Sequence, residues 1–154
     1  MNVFRISCHL MTGQFSVRRA FPTVLLDSIE QSIKSSEHRH AGEIVFAVEA
    51  ALDLSSLLRD KSARERAIDV FSMLRVWDTE LNNGVLIYLL MADRDVEIIA
   101  DRGIHAKVGQ VGWERICQEM EAAFRQGQFE QGILTGIEAI TQQLQTFFPP
   151  IHPS

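Results

Sequence analysis

Eight consecutive residues, Gly84-Val85-Leu86-Ile87-Tyr88-Leu89-Leu90-Met91, carry almost no polarity. A strand with one wet face would alternate polar and apolar residues, and eight residues are too few to cross a bilayer as a helix. The run therefore predicts a central strand covered on both faces. Upstream, Glu43-Ile44-Val45-Phe46-Ala47-Val48-Glu49 follows Ala41-Gly42 and reads as a first, largely buried strand. Between the two, Ser62-Ala63-Arg64-Glu65 has the form of a capping box. A stripe of Ala67, Ile68, Phe71 and Leu74 carries that helix to about Arg75. Strand, helical crossover and strand make a parallel βαβ unit, with both strands starting at one end of the sheet. After the polar break at residues 92–95, residues 96–100 resume the strand pattern, so an antiparallel hairpin follows. With Asp93 and Arg94 as its turn, Gly84 is expected opposite Gly103.

Helical patterns flank this sheet. Pro22 precedes Leu26, Ile29 and Ile33, predicting a helix that ends near Ser35-Ser36. After Gly103, the stripe Trp113, Ile116, Cys117, Met120 and Phe124 runs to a stop at Gly127. A last helix carries Ile133, Ile137, Ile140 and Leu144, with Gly132 and Gly136 leaving room for a close neighbour. The class expected is α/β, a small mixed sheet with helices on both faces. Residues 1–22 read as an N-terminal extension in which residues 3–6 fit a short edge strand or a flexible start equally well, and residues 23–154 as one domain. The apolar tail Phe147-Phe148-Pro149-Pro150-Ile151 is expected to dock on its own domain.

Of the 154 residues, 46% are apolar and 23% charged, which excludes a disordered chain or a disulfide scaffold. Cys8 and Cys117 form no CxxC pair, and no apolar stretch reaches the roughly 20 residues of a membrane helix. A cytoplasmic protein without membrane insertion is expected. The net charge of −5 argues against binding nucleic acid through phosphate contacts. Phosphate-cradling glycine loops and the G-x-S-x-G elbow do not occur. Cys117 falls on an apolar stripe, His105 beside a helix start, and His38-x-His40 lacks a third ligand of its type.

The polar residues are more informative. The expected topology gathers Glu43, Asp78, Thr79, Glu80, Asn82, Asn83 and Asp101 at one sheet end, with His38 and His40 just before the first strand. Carboxylate and amide oxygens are the hard ligands that Ca²⁺ or Mg²⁺ prefers, and crowded carboxylates call for a neutralising cation or proton. The same residues also suit plain structural work: Asn-Asn-Gly as a turn, and Asp78, Thr79 or Asp101 as caps for local backbone. The alternating ligand pattern of an EF-hand is not present.

Taken in order, residues 79–88 (TELNNGVLIY), Asp101-Arg102-Gly103-Ile104 with Val108-Gly109, Trp113, and Phe124-Arg125-Gln126-Gly127 resemble the TPM domain family. The resemblance spans about residues 23–150. It implies an α/β/α sandwich and an acidic, divalent-cation-binding end of the sheet. It also implies an activity range from acid phosphatase to no settled chemistry. Matched by position are Glu43, Thr79, Asn83, Asp101 and Arg125. Two departures stand out: Asn82 and Asn83 occupy the approach where membrane-linked members place an aspartate, and neither a signal peptide nor a membrane segment is expected from this sequence. The chain thus resembles a soluble cytoplasmic branch.

Two functions follow as expectations. In the first, Asp78, Glu80, Asn83 and Asp101 form a cation-binding or protein-interaction module, acting as a monomer or weak homo-oligomer. In the alternative, a cation on the same four residues supports hydrolysis of phosphomonoesters. Thr79 would then orient the water, Glu43 would serve as base, and Arg102 is the basic residue adjacent in sequence to the cluster.

Overall fold

The computed structural model describes residues 22–151, and the readings made for residues 1–21 lie outside it. Helix α1 (Thr23–Ser36) leads through a 3₁₀ turn (Glu37–Arg39) into strand β1 (Glu43–Glu49). A short α2 (Leu54–Leu58) and α3 (Ala63–Met73) cross over to β2 (Gly84–Leu90). Then come β3 (Asp95–Ala100), α4 (Arg102–Arg125) and α5 (Phe129–Phe147). The sheet order is β1-β2-β3, with β1 parallel and β3 antiparallel to β2. None of the helices described is long and apolar enough to cross a membrane.

The unbroken apolar run of β2 has its explanation in two cores. Val85, Ile87 and Leu89 face a cluster built with Leu25 and Ile29 of α1, Trp113, Ile116 and Met120 of α4, and Ile133, Ile137, Ile140 and Leu144 of α5. Leu86, Tyr88 and Leu90 face the other way, onto Leu57 of α2 and Ala63, Ala67 and Val70 of α3. Successive side chains of a strand point to opposite faces, so a strand between two helical layers has no position left for a polar residue. This is the three-layer α/β/α arrangement. Each aliphatic side chain so buried contributes roughly 1.5–3 kcal/mol.

Some sequence expectations shift by a turn or a residue. β1 is an edge strand with only Ile44 fully buried, so it is half-covered rather than largely buried. Helix α1 buries Leu25 and Ile29, leaving Leu26 exposed, and α3 buries Ala63, Ala67 and Val70 while Ile68 and Leu74 face out. In α1 Leu25 takes the place expected for Leu26 beside Ile29 and Ile33, and in α3 Ala63 and Val70 replace Ile68 and Leu74 beside the expected Ala67 and Phe71. The hairpin loop holds four residues, 91–94, with Arg94 at φ 51°, and not a two-residue turn. The register therefore moves by two residues, and Asp101 stands opposite Gly84, its N–H donating to the Gly84 carbonyl at 2.9 Å. The Ser62–Glu65 capping box forms as expected.

Helix α4 is broken at Gly109, whose φ of 79° and ψ of 161° are non-helical, so residues 102–108 and 110–125 are separate helical pieces. The α4–α5 seam is tight: a Cβ at Gly136 would lie 2.5 Å from Met120 Sδ. The tail returns to its own domain. Ala41 N–H donates to the Phe148 carbonyl at 2.9 Å and Phe148 packs against the larger core, while Phe147 and Ile151 remain exposed.

At the sheet end away from Gly84, Arg66 of α3 binds the Glu49 carboxylate through two bonds, Nε to Oε1 at 2.7 Å and Nη2 to Oε2 at 3.0 Å. The Tyr88 hydroxyl donates to the same Oε1 at 2.7 Å. Burial pushes the Glu49 carboxyl up, but the bonds from Arg66 and Tyr88 outweigh it and hold the group below its ordinary value. The cluster joins β1, β2 and α3 through polar contacts.

Candidate functional site

The start of β1, the start of β2 and the end of β3 lie in a row, since Glu43 is paired with Gly84 and Gly84 with Asp101. The segment approaching β2 is packed so closely that side chains would not fit at two points. A Cβ on Gly84 would run into the Val76 carbonyl, and one on Gly103 would lie 2.5 Å from the Asn82 carbonyl.

Asn83, 1% exposed, is the joint of this region. Its backbone N–H donates to Thr79 Oγ1 at 3.0 Å and its Nδ2 to the Ala41 carbonyl at 3.2 Å. Its own carbonyl accepts the Glu43 N–H at 3.4 Å. Asn82 adopts a left-handed backbone (φ 54°), and its carbonyl accepts the Ile104 N–H at 3.2 Å. The two asparagines thus tie the approach segment to β1 on one side and to α4 on the other. Sequence identified both residues but not this strut role of Asn83.

Asp101 is the N-cap of α4. Its Oδ1 accepts the Arg102 N–H at 2.8 Å. Its Oδ2 is buried and, among the described residues, is the one buried side-chain oxygen or nitrogen with no hydrogen-bond partner. Glu43 is exposed along the same end, and burial, followed by the nearby charges of Asp78 and Glu37, raises its carboxyl above the ordinary value. Asp78 pairs with Arg75 at 3.2 Å on the surface, and Arg75 lies over the Trp77 ring, 5.5 Å from its centroid. Glu80 and Arg102 are exposed here too. Arg125 is not brought in. It ends α4, and residues 110–125 alone span roughly 24 Å of helix.

The histidines have structural surroundings. His40 Nδ1 accepts the Gly42 N–H at 3.0 Å. Ser36 Oγ spends its proton on the Ile33 carbonyl at 2.6 Å, so His40 Nε2, 3.4 Å away, must be the donor to that oxygen. This fixes a neutral imidazole, and burial lowers its pKa. His105 Nδ1 accepts the Trp113 indole N–H at 3.2 Å, across the Gly109 break. The Cys117 thiol is pushed up to about 12, by burial first and by Glu97 and Glu121 after it, which removes it as a nucleophile at neutral pH.

Chemically, the sheet end offers one orphaned carboxylate oxygen, exposed carboxylates of Glu43, Asp78 and Glu80 on the segments that meet there, and backbone and amide oxygens. Among the described residues no three His, Cys, Asp or Glu side chains stand close enough to hold a metal ion by themselves. Any ion would therefore draw on Asp101 together with carbonyl, amide or water oxygens, a set suited to Ca²⁺ or Mg²⁺ and unsuited to a transition metal.

A second polar concentration escaped the sequence reading. A groove of about 330 Å³ is lined by Asp95, Val96, Glu97 and Ile98 of β3, by Arg64 of α3, and by Trp113, Glu114, Cys117 and Glu121 among the α4 residues. Helical spacing places Glu114, Cys117 and Glu121 on one face of α4. Only the packing of α4 along β3 sets them opposite Asp95 and Glu97.

A mixed three-stranded sheet between helical layers, with a helix-capping aspartate returned to the approach of its central strand, defines a small α/β/α domain class. The TPM domain pattern matches residues 23–143, and the chain belongs to that family. It is similar to the BA42 protein from the psychrophilic bacterium Bizionia argentinensis, whose NMR structure superposes with a TM-score of 0.67 at 32% identity, covering 80% of each chain. It is also similar in fold to the N-terminal domain of a protein from P. gingivalis. There the TM-score is 0.67 at 18% identity, over 84% of this chain and 81% of the other. No curated protein sequence matches it.

Proposed function

We propose that this domain is a divalent-cation-binding module whose site is the sheet end anchored by Asp101. The observation that carries the reading is the buried Asp101 Oδ2 without a partner. Leaving such an oxygen unsatisfied costs roughly 1–3 kcal/mol, and a cation would recover that cost. Asp101 would be the principal ligand, with oxygens of the Asp78, Glu80 and Asn83 segment completing the shell around Ca²⁺ or Mg²⁺. Two features point to weak binding, with Kd on the order of 10⁻⁴ M or above. Asp78 is already paired with Arg75, and Asn83 Nδ2 is committed to Ala41. Exposed Met73, Leu74, Trp77 and Leu81 near the same segment suit a protein contact beside the ion.

Hydrolysis of a phosphomonoester is the weaker reading. The raised Glu43 carboxyl would suit proton transfer. Of the arginines that could hold a phosphoryl group, however, Arg75 is paired with Asp78 and Arg125 ends the far side of α4, leaving Arg102.

Calorimetric titration with CaCl₂ and with MgCl₂ tests the proposal. Binding is expected in the wild type and at least a tenfold loss in Asp101→Asn. Asparagine is as good an N-cap as aspartate, so the variant keeps its fold. An unchanged isotherm in Asp101→Asn would remove the assignment. Metal-dependent p-nitrophenyl phosphate hydrolysis that disappears in the same variant would favour the hydrolase instead.

A further inference from the structure

We propose that the groove between the edge strand β3 and helix α4 binds an extended, lysine- or arginine-bearing segment of a partner protein. The groove lies along the sheet edge and is distinct from the Asp101 end: β3 runs towards Asp101, and the lining residues Asp95 to Ile98 occupy its earlier part. Its floor is apolar, formed by Val96, Ile98 and the nearly buried Trp113. Its walls carry four carboxylates, Asp95, Glu97, Glu114 and Glu121, against a single cation, Arg64, which pairs with Glu97 at 3.3 Å.

Three physical arguments select the occupant. First, β3 is an edge strand of the sheet, and an edge presents peptide groups that a second extended chain can use. Second, that edge is covered by side chains that can move: Val96 and Ile98 are 2% and 3% exposed, beneath groups of α4. The Val96 N–H reaches Glu121 Oε1 at 3.5 Å, the long limit of a hydrogen bond, and the Ile98 peptide group is set against the Cys117 thiol. A lysine or arginine that draws Glu121 and Asp95 to itself releases the Val96 N–H for an incoming carbonyl. Third, the charge is unbalanced by three, so an acidic or neutral segment gains nothing from the walls while a basic one does. The electrostatics of the free domain agree. Burial, then Glu97, Glu121 and Asp93, push the Asp95 carboxyl up to about 6, opposed by the Val96 N–H. Burial raises Glu97 as well, against the pull of Arg64.

The test uses the full chain and fluorescein-labelled hexapeptides of alternating sequence, (Lys-Val)₃ and (Glu-Val)₃, in fluorescence anisotropy, with spermine as a competing cation lacking a peptide backbone. The lysine peptide is expected to bind at least tenfold tighter than the glutamate peptide. Its affinity should fall as salt rises, and fall again as the pH drops below about 6 and Asp95 takes up a proton. Glu114→Gln and Glu121→Gln together should cost a further tenfold. The second substitution keeps a side-chain oxygen for the Val96 N–H, and Glu114 is exposed, so folding is preserved. In ¹⁵N spectra the largest shifts should fall on Val96 and Ile98. Equal binding of both peptides, shifts centred on residues 78–83, or equally strong binding of spermine would each overturn the proposal. Asp101→Asn should bind the lysine peptide like wild type, which separates this outcome from the fate of the cation site.

Discussion

Replacing Gly84 by alanine is expected to destabilise the domain by about 3 kcal/mol and to weaken any cation response at Asp101 with it. The added Cβ would meet the Val76 carbonyl, which is backbone and cannot rotate away as a side chain could. The approach segment must shift. Its Asn83 bonds to Ala41 and Glu43, and the bond from Asp101 N–H to Gly84, all depend on where it lies. Urea denaturation should show the loss, equivalent to roughly 10 °C in Tm for a domain of this size. Calcium titration of the folded fraction should show a binding deficit larger than unfolding accounts for. A variant with wild-type stability would mean that the close approach of Val76 to Gly84 is not maintained in solution.

The second large effect is expected from Arg66→Met, at about 2–3 kcal/mol near pH 7. Methionine keeps much of the packing volume but leaves the Glu49 carboxylate about one-third exposed and without its counter-charge. In the wild type the Glu49 pKa lies below its ordinary value, so its stabilisation is present above that ordinary value and is lost as pH falls through the folded pKa. In the variant, burial acts unopposed by arginine and the carboxyl rises. Protonation then relieves the penalty, and the stability gap to wild type should narrow from pH 7 towards pH 3. A gap that stays constant over this range would show that Arg66 contributes packing alone. Tyr88→Phe, which removes one bond to the same oxygen, should cost about 1 kcal/mol.

The sheet was legible because β2 is enclosed on both faces and says so in every residue, and because residues 92–95 interrupt the apolar pattern at the hairpin. Arrival of Asp101 beside the approach segment followed from topology alone, and survived a two-residue error in register because both versions end the hairpin at the same edge. The four-residue loop was not legible: Arg94 in a left-handed conformation is set by the closing geometry of the hairpin, not by a glycine or asparagine that would announce it. The α3 face was read correctly at Ala67 but missed at Ala63 and Val70, since hydrophobicity favours the larger Ile68 and Leu74 that in fact face solvent. The short α2, held by an Asp53 cap on the Ser56 N–H at 2.7 Å, was also missed, being too short for periodicity to register. At the candidate site, residue types were visible but their commitments were not. Whether Asn83 is a ligand or a strut depends on the Ala41 carbonyl 42 residues earlier. The orphaned Asp101 oxygen is a property of packing that no spacing encodes.

The interruption at Gly109 leaves the seven residues after Asp101 as a short lever with its own axis, joined to the longer piece by the chain and by one indole-to-imidazole bond. That lever is held at its start by the Ile104 N–H on the Asn82 carbonyl and at His105 by the Trp113 indole, so a shift of Asp101 is carried to the tryptophan. Substitutions near the start of α4 are thus relayed across the break at Gly109 and not absorbed by it.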